Sequence, residues 1–294
     1  MKLRTLAVGV LAAGLALTGC GKEGTPAGDS TVAQSTAADV TVAGSPTFDK
    51  MKQRGKVVIG VKEDQPGLGL KDATTGNYSG FDIEMARLIA AKLGFDAAKI
   101  EYKPIPSASR EQAIVNGDID YYVGTYSITD KRKEQISFAG PYFIAGQDLL
   151  VRKDDTSITG PETLKGKKVC SVTGSTPIQR VRDQQLTDAA NIVEFQTYSE
   201  CVTKLDQGEV DAVTTDDAIL KGYAAQEPDK FTVIGKTFST EKYGIGLPKE
   251  DTALRNKVND ILQEAIDGGD WLKIYDATLG KSGSPATPPT LERY

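Results

Sequence analysis

The chain has 294 residues, a formal net charge of −5 and no histidine. A mildly acidic sequence without a basic block argues against a nucleic-acid partner, and the missing histidine removes the commonest general base and metal ligand. Ser-His-Asp and Cys-His catalysis are therefore excluded, and the sequence predicts no metal site and no cofactor.

The N-terminus has the features of an export signal. Lys2 and Arg4 give a basic start, residues 6–17 form a short apolar run, and Cys20 directly follows a Leu-Thr-Gly sequence. The run is shorter than the about 20 apolar residues that span a bilayer, so residues 1–19 are predicted to be a signal peptide. The Leu-Thr-Gly-Cys ending resembles the lipobox of bacterial lipoproteins, which implies that Cys20 is acylated. An ordinary secretion signal with an incidental cysteine is the alternative.

Residues 20–46 are predicted to be a flexible linker. They consist mainly of Gly, Ser, Thr, Ala and Pro, a composition that buries too little surface to fold. No later apolar run approaches membrane-spanning length. We therefore expect an extracytoplasmic protein that contacts the membrane through its N-terminal lipid alone.

Two patterns occur twice in the remaining part of the chain. The pattern of the β-rich run 55–61 recurs at 166–172, and the pattern of 116–120 recurs at 207–211. In the second pattern, a glycine suited to a helix C-cap precedes a short buried strand. We therefore expect two similar α/β lobes joined by two crossing segments that form a hinge. The predicted bounds are 47–148 plus 243–294 for lobe one and 149–242 for lobe two.

Helical patterns separate the strands. Apolar residues at i, i+4, i+7, i+8 and i+12 from Phe81 predict a helix that ends at Gly94, and Pro177 begins another helix. A C-terminal helix is predicted from about Thr252 through Tyr275, packed on lobe one. Strands that alternate with helices predict an α/β fold, in which ligands bind at the carboxyl ends of the strands.

That rule selects four strand-end loops, 62–69, 125–132, 173–176 and 214–217. The polar side chains of these loops are cations, hydroxyls and one or two carboxylates. Arg110 and Tyr198, which lie close in sequence to the cleft-forming elements, are added to the set. This set suits a zwitterion with extra negative charge and predicts a binding protein rather than an enzyme. The candidate ligand-binding residues are Lys62, Arg110, Thr125, Ser127, Arg132, Ser175, Thr176, Tyr198 and Asp216.

Seven of the nine candidates also have a purely structural interpretation. The alternatives are a solvated helix start at Arg132, an N-cap at Asp216, surface charge at Lys62 and Arg110, helix capping at Ser175 and Thr176, and a rim aromatic at Tyr198.

Two cysteines, Cys170 and Cys201, remain after Cys20. In an exported protein, a single pair of this kind is expected to form one disulfide. Two buried free thiols are the alternative.

Five short motifs stand in the order found in family 3 of the periplasmic-type solute-binding proteins, and the resemblance covers residues 48–280. Within the family, residues 64–69 and 170–176 resemble the glutamate- and aspartate-binding members. The resemblance implies the type II periplasmic-binding-protein-like fold, with two α/β lobes, a two-strand hinge and a ligand cleft between the lobes. It also implies delivery of the ligand to the permease of an ABC transporter. The motifs are Gly80-Phe81-Asp82, Ser127-Ile128-Thr129-Asp130-Lys131-Arg132, Phe138-Ala139-Gly140-Pro141-Tyr142-Phe143, Gly174-Ser175-Thr176 and Thr215-Asp216-Asp217.

Site roles follow from the same resemblance. It implies that Arg132 binds an α-carboxylate with Ser127 and Thr176, and that Asp216 binds the α-ammonium with Thr125. Lys62 and Arg110 would hold a side-chain carboxylate, and Tyr198 would line the cleft. The aromatic wall usual near Asp64 is replaced here by a Pro-Gly-Leu-Gly turn.

The expected function is capture of an acidic amino acid by a monomer, with glutamate favoured over aspartate. One alternative ligand is glutamine, asparagine or another polar amino acid. Two other classes are an enzyme resembling cyclohexadienyl dehydratases and a sensory input domain. The missing histidine disfavours the enzyme, and the sequence contains no signalling module.

Overall fold

The computed structural model describes residues 32–282 and 287–294. The predicted signal peptide and Cys20 lie outside these described residues. Within them, no helix combines the length and the apolar character needed to cross a membrane.

The chain first builds most of lobe one. β1 (Val57–Val61) is buried along its length and runs parallel to β5 (Ile100–Pro104) and β6 (Tyr121–Tyr122), as expected for a central strand covered on both faces. The short strands β2 (Asp64–Gln65), β3 (Gly69–Lys71) and β4 (Tyr78–Ser79) form a separate antiparallel sheet. The elements are α1 (Pro46–Arg54), β1 (Val57–Val61), β2 (Asp64–Gln65), β3 (Gly69–Lys71), β4 (Tyr78–Ser79), α2 (Phe81–Lys92), β5 (Ile100–Pro104), α3 (Arg110–Val115), β6 (Tyr121–Tyr122), α4 (Asp130–Lys133) and β7 (Ile136–Ala145).

Lobe two follows and repeats the pattern of three parallel strands. Its elements are β8 (Gln147–Arg152), β9 (Val169–Val172), α5 (Thr176–Asp183), β10 (Ile192–Phe195), α6 (Tyr198–Asp206), β11 (Ala212–Asp216), α7 (Asp217–Gln226) and β12 (Phe231–Val233). The strand order is β10-β9-β11-β8-β12. The predicted disulfide between Cys170 and Cys201 is confirmed and joins β9 to α6.

The chain then returns to lobe one through β13 (Glu241–Pro248), α8 (Thr252–Asp267) and α9 (Asp270–Ala277). β13 enters antiparallel between β6 and β7, which completes the strand order β5-β1-β6-β13-β7. The two lobes are therefore connected by the step from β7 to β8 and by the segment that leads into β13.

Strand pairing moves both predicted lobe boundaries by two residues. Gln147 and Asp148 pair with β11 in lobe two, whereas Glu241 and Lys242 pair with β7 in lobe one. These four residues are polar, so the apolar runs that predict the strands do not include them and do not mark where a strand changes sheets.

The predicted flexible linker is wrong for residues 32–46. Val42 is buried in the lobe-one core, and Val32 and Val40 pack against it. The Ala37 amide donates to the Ala91 carbonyl at 2.9 Å, and Ser45 caps α1. Spaced valines in a stretch of small polar residues make these contacts. The average composition of the segment does not indicate them.

The predicted single C-terminal helix is also wrong, because it is interrupted at Gly268 and Gly269. Gly269 has a φ of 79°, a left-handed conformation that ends a helix at little cost for glycine. Both resulting helices contact lobe one, and the indole of Trp271 donates to the Tyr142 carbonyl at 2.7 Å.

Candidate ligand-binding site

The predicted strand-end loops converge on a cleft between the lobes. β1 is parallel to β6, and β9 to β11, so within each lobe the carboxyl ends lie on one side of the sheet. A small cavity lies in the cleft. All predicted residues except Lys62 line it, namely Arg110, Thr125, Ser127, Arg132, Ser175, Thr176, Tyr198 and Asp216.

Three buried cations of lobe one lie together at this cleft. Lys62, Arg110 and Arg132 are 6%, 2% and 8% exposed, so surface charge is the wrong interpretation of the first two. Ser107 joins Lys62 to Arg110, because it accepts from Lys62 Nζ at 2.8 Å and from Arg110 Nε at 3.1 Å. The Arg110 and Arg132 guanidinium carbons lie 4.1 and 4.8 Å from the ring centre of Tyr126, within cation–π range.

Arg132 is fixed in place by three acceptors. It donates to the carbonyls of Ser127 at 2.7 Å and Gly174 at 3.1 Å, and to Glu111 Oε1 at 3.1 Å. The solvated-helix interpretation is therefore wrong. Because a guanidinium has five N–H donors, two donors of Arg132 have no hydrogen-bond partner among the described residues, and Arg132 lines the cavity.

Lys62 and Arg110 differ from Arg132 in their counter-ions. Arg132 pairs with Glu111, but no carboxylate among the described residues forms an ion pair with Lys62 or Arg110. Burial, followed by the positive charge of Arg110, lowers the pKa of Lys62 to about 7. A bound anion would reverse this effect by stabilising the charged amine. The pair therefore has the properties of an anion site.

Asp216 presents the opposite charge from lobe two. Its Oδ2 accepts from the Tyr243 hydroxyl at 2.6 Å, and its buried Oδ1 has no hydrogen-bond partner in the described chain. The N-cap interpretation is wrong for its side chain, which makes no capping hydrogen bond. Burial, followed by the charge of Glu241, raises the pKa of Asp216 to about 7. A ligand ammonium would satisfy Oδ1 and lower that pKa.

The hydroxyl residues connect the two sides. Ser175 does cap α5, accepting from the Ile178 amide at 3.3 Å, and it also lines the cavity. Thr176 Oγ1 lies 3.3 Å from Ser127 Oγ and donates to Glu241 Oε2 at 3.0 Å. Ser127, Thr176 and the first residue of β13 are therefore linked.

The lobes also contact each other beside the cavity. Asp64 Oδ2 accepts from the amides of Tyr198 at 2.8 Å and Ser199 at 3.2 Å, at the start of α6. Tyr198 is buried rather than on the rim. The turn that replaces the aromatic wall packs on α7, since a Cβ added to Gly222 would lie 2.3 Å from the Pro66 carbonyl oxygen.

Several residues of the site were not among the candidates predicted from the sequence. Tyr126 and Pro177 stand next to selected residues, and Tyr243 belongs to the predicted hinge strand. Ser107 and Ile219 lie three residues from Arg110 and Asp216, about one helical turn, which is the spacing that could have indicated them. The missed residues are Ser107, Tyr126, Pro177, Ile219 and Tyr243.

Comparison with known proteins identifies the family. A model described as bacterial extracellular solute-binding proteins, family 3, matches residues 57–281. The chain belongs to this family. The predicted family is thus confirmed, and the protein is an extracellular solute-binding protein.

Individual relatives agree with this assignment. The chain is 42% identical over 246 residues to a glutamine-binding protein of Geobacillus stearothermophilus, covering 84% of this chain and 92% of that protein. It is 41% identical over 239 residues to a glutamate-binding protein of Corynebacterium efficiens, covering 78% and 80%. An ancestral arginine-binding protein solved with glutamine has a TM-score of 0.72 at 38% identity, covering 77% of this chain and 99% of that one. The predicted fold class is thereby confirmed.

Proposed function

We propose that this protein captures L-glutamate outside the cytoplasm and delivers it to the membrane permease of an ABC transporter. The charges of the cleft support this ligand. Arg132 offers two free donors to an α-carboxylate, and Asp216 offers an unpartnered oxygen to the α-ammonium. Opposite charges on the two lobes favour one orientation of an amino acid and favour closure of the lobes around it.

The choice of a ligand with an acidic side chain rests on Lys62 and Arg110, which are buried and form no ion pair with a carboxylate among the residues that the structure describes. Two desolvated cations are costly unless an anion compensates them. A ligand with a second carboxylate provides that anion, and a neutral ligand does not. Aspartate offers the same group on a shorter side chain.

Glutamine is the second candidate, because the Geobacillus stearothermophilus relative is named as a glutamine-binding protein. The pKa of Lys62, lowered to about 7, gives this candidate a physical basis, since a neutral amine tolerates an amide. A dehydratase-like enzyme is disfavoured by the missing histidine. Arogenate or prephenate turnover would reveal it.

Calorimetric titration with glutamate, aspartate, glutamine and asparagine tests the ligand. We expect glutamate to bind most tightly at pH 7. Tighter binding of glutamine would make it the ligand and would refute the anion role of Lys62 and Arg110.

We further propose that the protein acts as a monomer held at the membrane by acylated Cys20. Cys20→Ser should release it into the medium. Membrane association that persists in this variant would contradict the anchor without affecting the ligand proposal.

A further inference from the structure

Thr125 adopts a backbone conformation that threonine rarely takes. Its φ is 45°, in the left-handed region where a β-branched side chain is strained. The residue lines the cleft cavity. Strain of this kind persists only where the surrounding structure enforces it.

The carboxylate of Asp82 enforces it. Asp82 Oδ2 accepts from the Thr125 amide at 3.0 Å, and Oδ1 accepts from the Tyr142 hydroxyl at 2.7 Å. Asp82 lies in the first turn of α2, where the helix dipole favours negative charge.

Asp82 is fully buried, and its described contacts are hydrogen bonds rather than ion pairs. A buried carboxylate without a cation is destabilising unless its hydrogen bonds compensate for lost water. A role in filling space alone would be served equally well by an apolar side chain of similar size.

The side chain of Thr125 is fixed as well. Its hydroxyl donates to Gln65 Oε1 at 3.1 Å, and Gln65 is fully buried. With the amide and the hydroxyl hydrogen both bound to protein acceptors, the acceptors left on Thr125 are its hydroxyl oxygen and its carbonyl oxygen. Either oxygen can accept a hydrogen bond from a ligand ammonium.

We propose that Asp82 is a positioning residue, which keeps Thr125 in the left-handed conformation that amino-acid binding requires. This inference rests on the proposed function, because it assumes that the cleft receives an ammonium. Asp82 itself does not line the cavity and acts through Thr125.

A double-mutant cycle tests the proposal by calorimetry. Asp82→Ala removes the acceptor, and Thr125→Gly removes the steric cost of the positive φ, since glycine adopts it freely. We expect Asp82→Ala to weaken glutamate binding about tenfold in the wild-type background. In the Thr125→Gly background the same change should cost less than about threefold. Equal losses in both backgrounds would overturn the proposal.

Two further variants separate positioning from stability. Asp82→Asn retains an oxygen that can accept from Thr125, so it should stay within about threefold of wild type; a loss as large as that of Asp82→Ala would contradict the proposal. Asp120→Ala is the matched control. Asp120 is also buried and accepts from a backbone amide, that of Val58 at 2.7 Å, but Val58, unlike Thr125, does not line the cavity. Asp120 also forms an ion pair with Arg54. This control should lower the melting temperature and leave affinity unchanged.

If Asp82→Ala does not fold, Asp82→Val replaces it in the cycle, because it fills the space without an acceptor, and the same outcomes decide. The cycle can use any amino acid that the wild type binds. A wild type that binds glutamine instead of glutamate would therefore refute the proposed ligand while leaving the test of Asp82 intact.

Discussion

Tyr243, on β13 of lobe one, donates its hydroxyl to Asp216 of lobe two at 2.6 Å. The ring of Tyr142, on β7, lies 6.2 Å from that of Tyr243 and donates its own hydroxyl to Asp82. Tyrosines on the two lobe-one strands nearest the hinge thus hold two buried carboxylates. The positions of the Asp216 and Asp82 carboxylates therefore depend on the strands that connect the lobes.

Tyr243→Phe should make amino-acid binding depend more strongly on pH. The Tyr243 hydrogen bond lowers the pKa of Asp216, so its loss should raise that pKa above about 7. A larger neutral fraction at pH 7 would weaken glutamate about five- to tenfold, with a smaller effect at pH 8.5. Calorimetry at the two pH values measures this difference.

Tyr121→Phe is the control for that variant, because the Tyr121 hydroxyl is buried and donates to the Ala86 carbonyl outside the cleft. It should leave the pH profile unchanged. A pH-independent loss in Tyr243→Phe would show that the hydroxyl acts only through packing.

Lys62→Met and Arg110→Met should change ligand preference. Each removes a cation from the proposed side-chain site, so glutamate should weaken by about two to three decades while glutamine changes little. Arg132→Ala should abolish measurable binding of both, since both present an α-carboxylate. The exposed Lys99→Met is the control. Full glutamate preference in both methionine variants would refute the side-chain site.

The two-lobed fold could be predicted because its signals are local. Each lobe repeats a strand, a helix and a C-capping glycine, and Gly117 and Gly208 have φ values of 72° and 73°. The docking of residues 32–45 and the exchange of strands at 147 and 241 depend on contacts with distant parts of the chain. The composition and periodicity of the sequence do not indicate such contacts.

The same distinction applies to the site. The strand-end rule located Lys62, Arg132 and Asp216 because it depends only on chain order. It did not identify Ser107 or Tyr126, which hold the cations, since their roles arise from three-dimensional packing. Nor did it indicate that Lys62 and Arg110 are buried and form no ion pair with a carboxylate of the described residues.

Asp64→Ala should accelerate ligand release. Asp64 joins lobe one to the amides that begin α6, so its loss should weaken the closed arrangement and not the direct ligand contacts. We expect about a tenfold faster dissociation with a nearly unchanged association rate, measured by stopped-flow fluorescence. Asp72→Ala, at an exposed turn of the same lobe, is the control. Slower association with unchanged release would contradict a role in closure.

Asp216→Asn should stabilise the ligand-free protein and abolish binding. Folding raises the pKa of Asp216 from 3.8 to about 7. The favourable contribution of Asp216 to the free energy of unfolding is therefore fully present below pH 3.8 and is lost as the pH rises through 7. At pH 7.5 the buried charge costs on the order of 2–4 kcal/mol. Its removal should raise the melting temperature by several degrees. An unchanged or lower melting temperature would show that Tyr243 compensates the charge fully.

Glutamate binding should release a proton at pH 6 and take one up at pH 8. The pKa of Asp216 is raised to about 7 and that of Lys62 is lowered to about 7. At pH 6 the ligand ammonium forces Asp216 to lose its proton, while Lys62 is already charged. At pH 8 the side-chain carboxylate draws a proton onto Lys62, while Asp216 is already ionised. Affinity should therefore be greatest near pH 7, where the two effects offset each other.

Calorimetry in buffers of different ionisation enthalpy measures the proton number directly. Glutamine provides a matched control, because it presents the ammonium without the second carboxylate and should show release at pH 6 but no uptake at pH 8. Lys62→Met should give glutamate that same behaviour. Uptake at pH 8 that persists in Lys62→Met would assign the proton to another group and remove the main support for an anion site at Lys62.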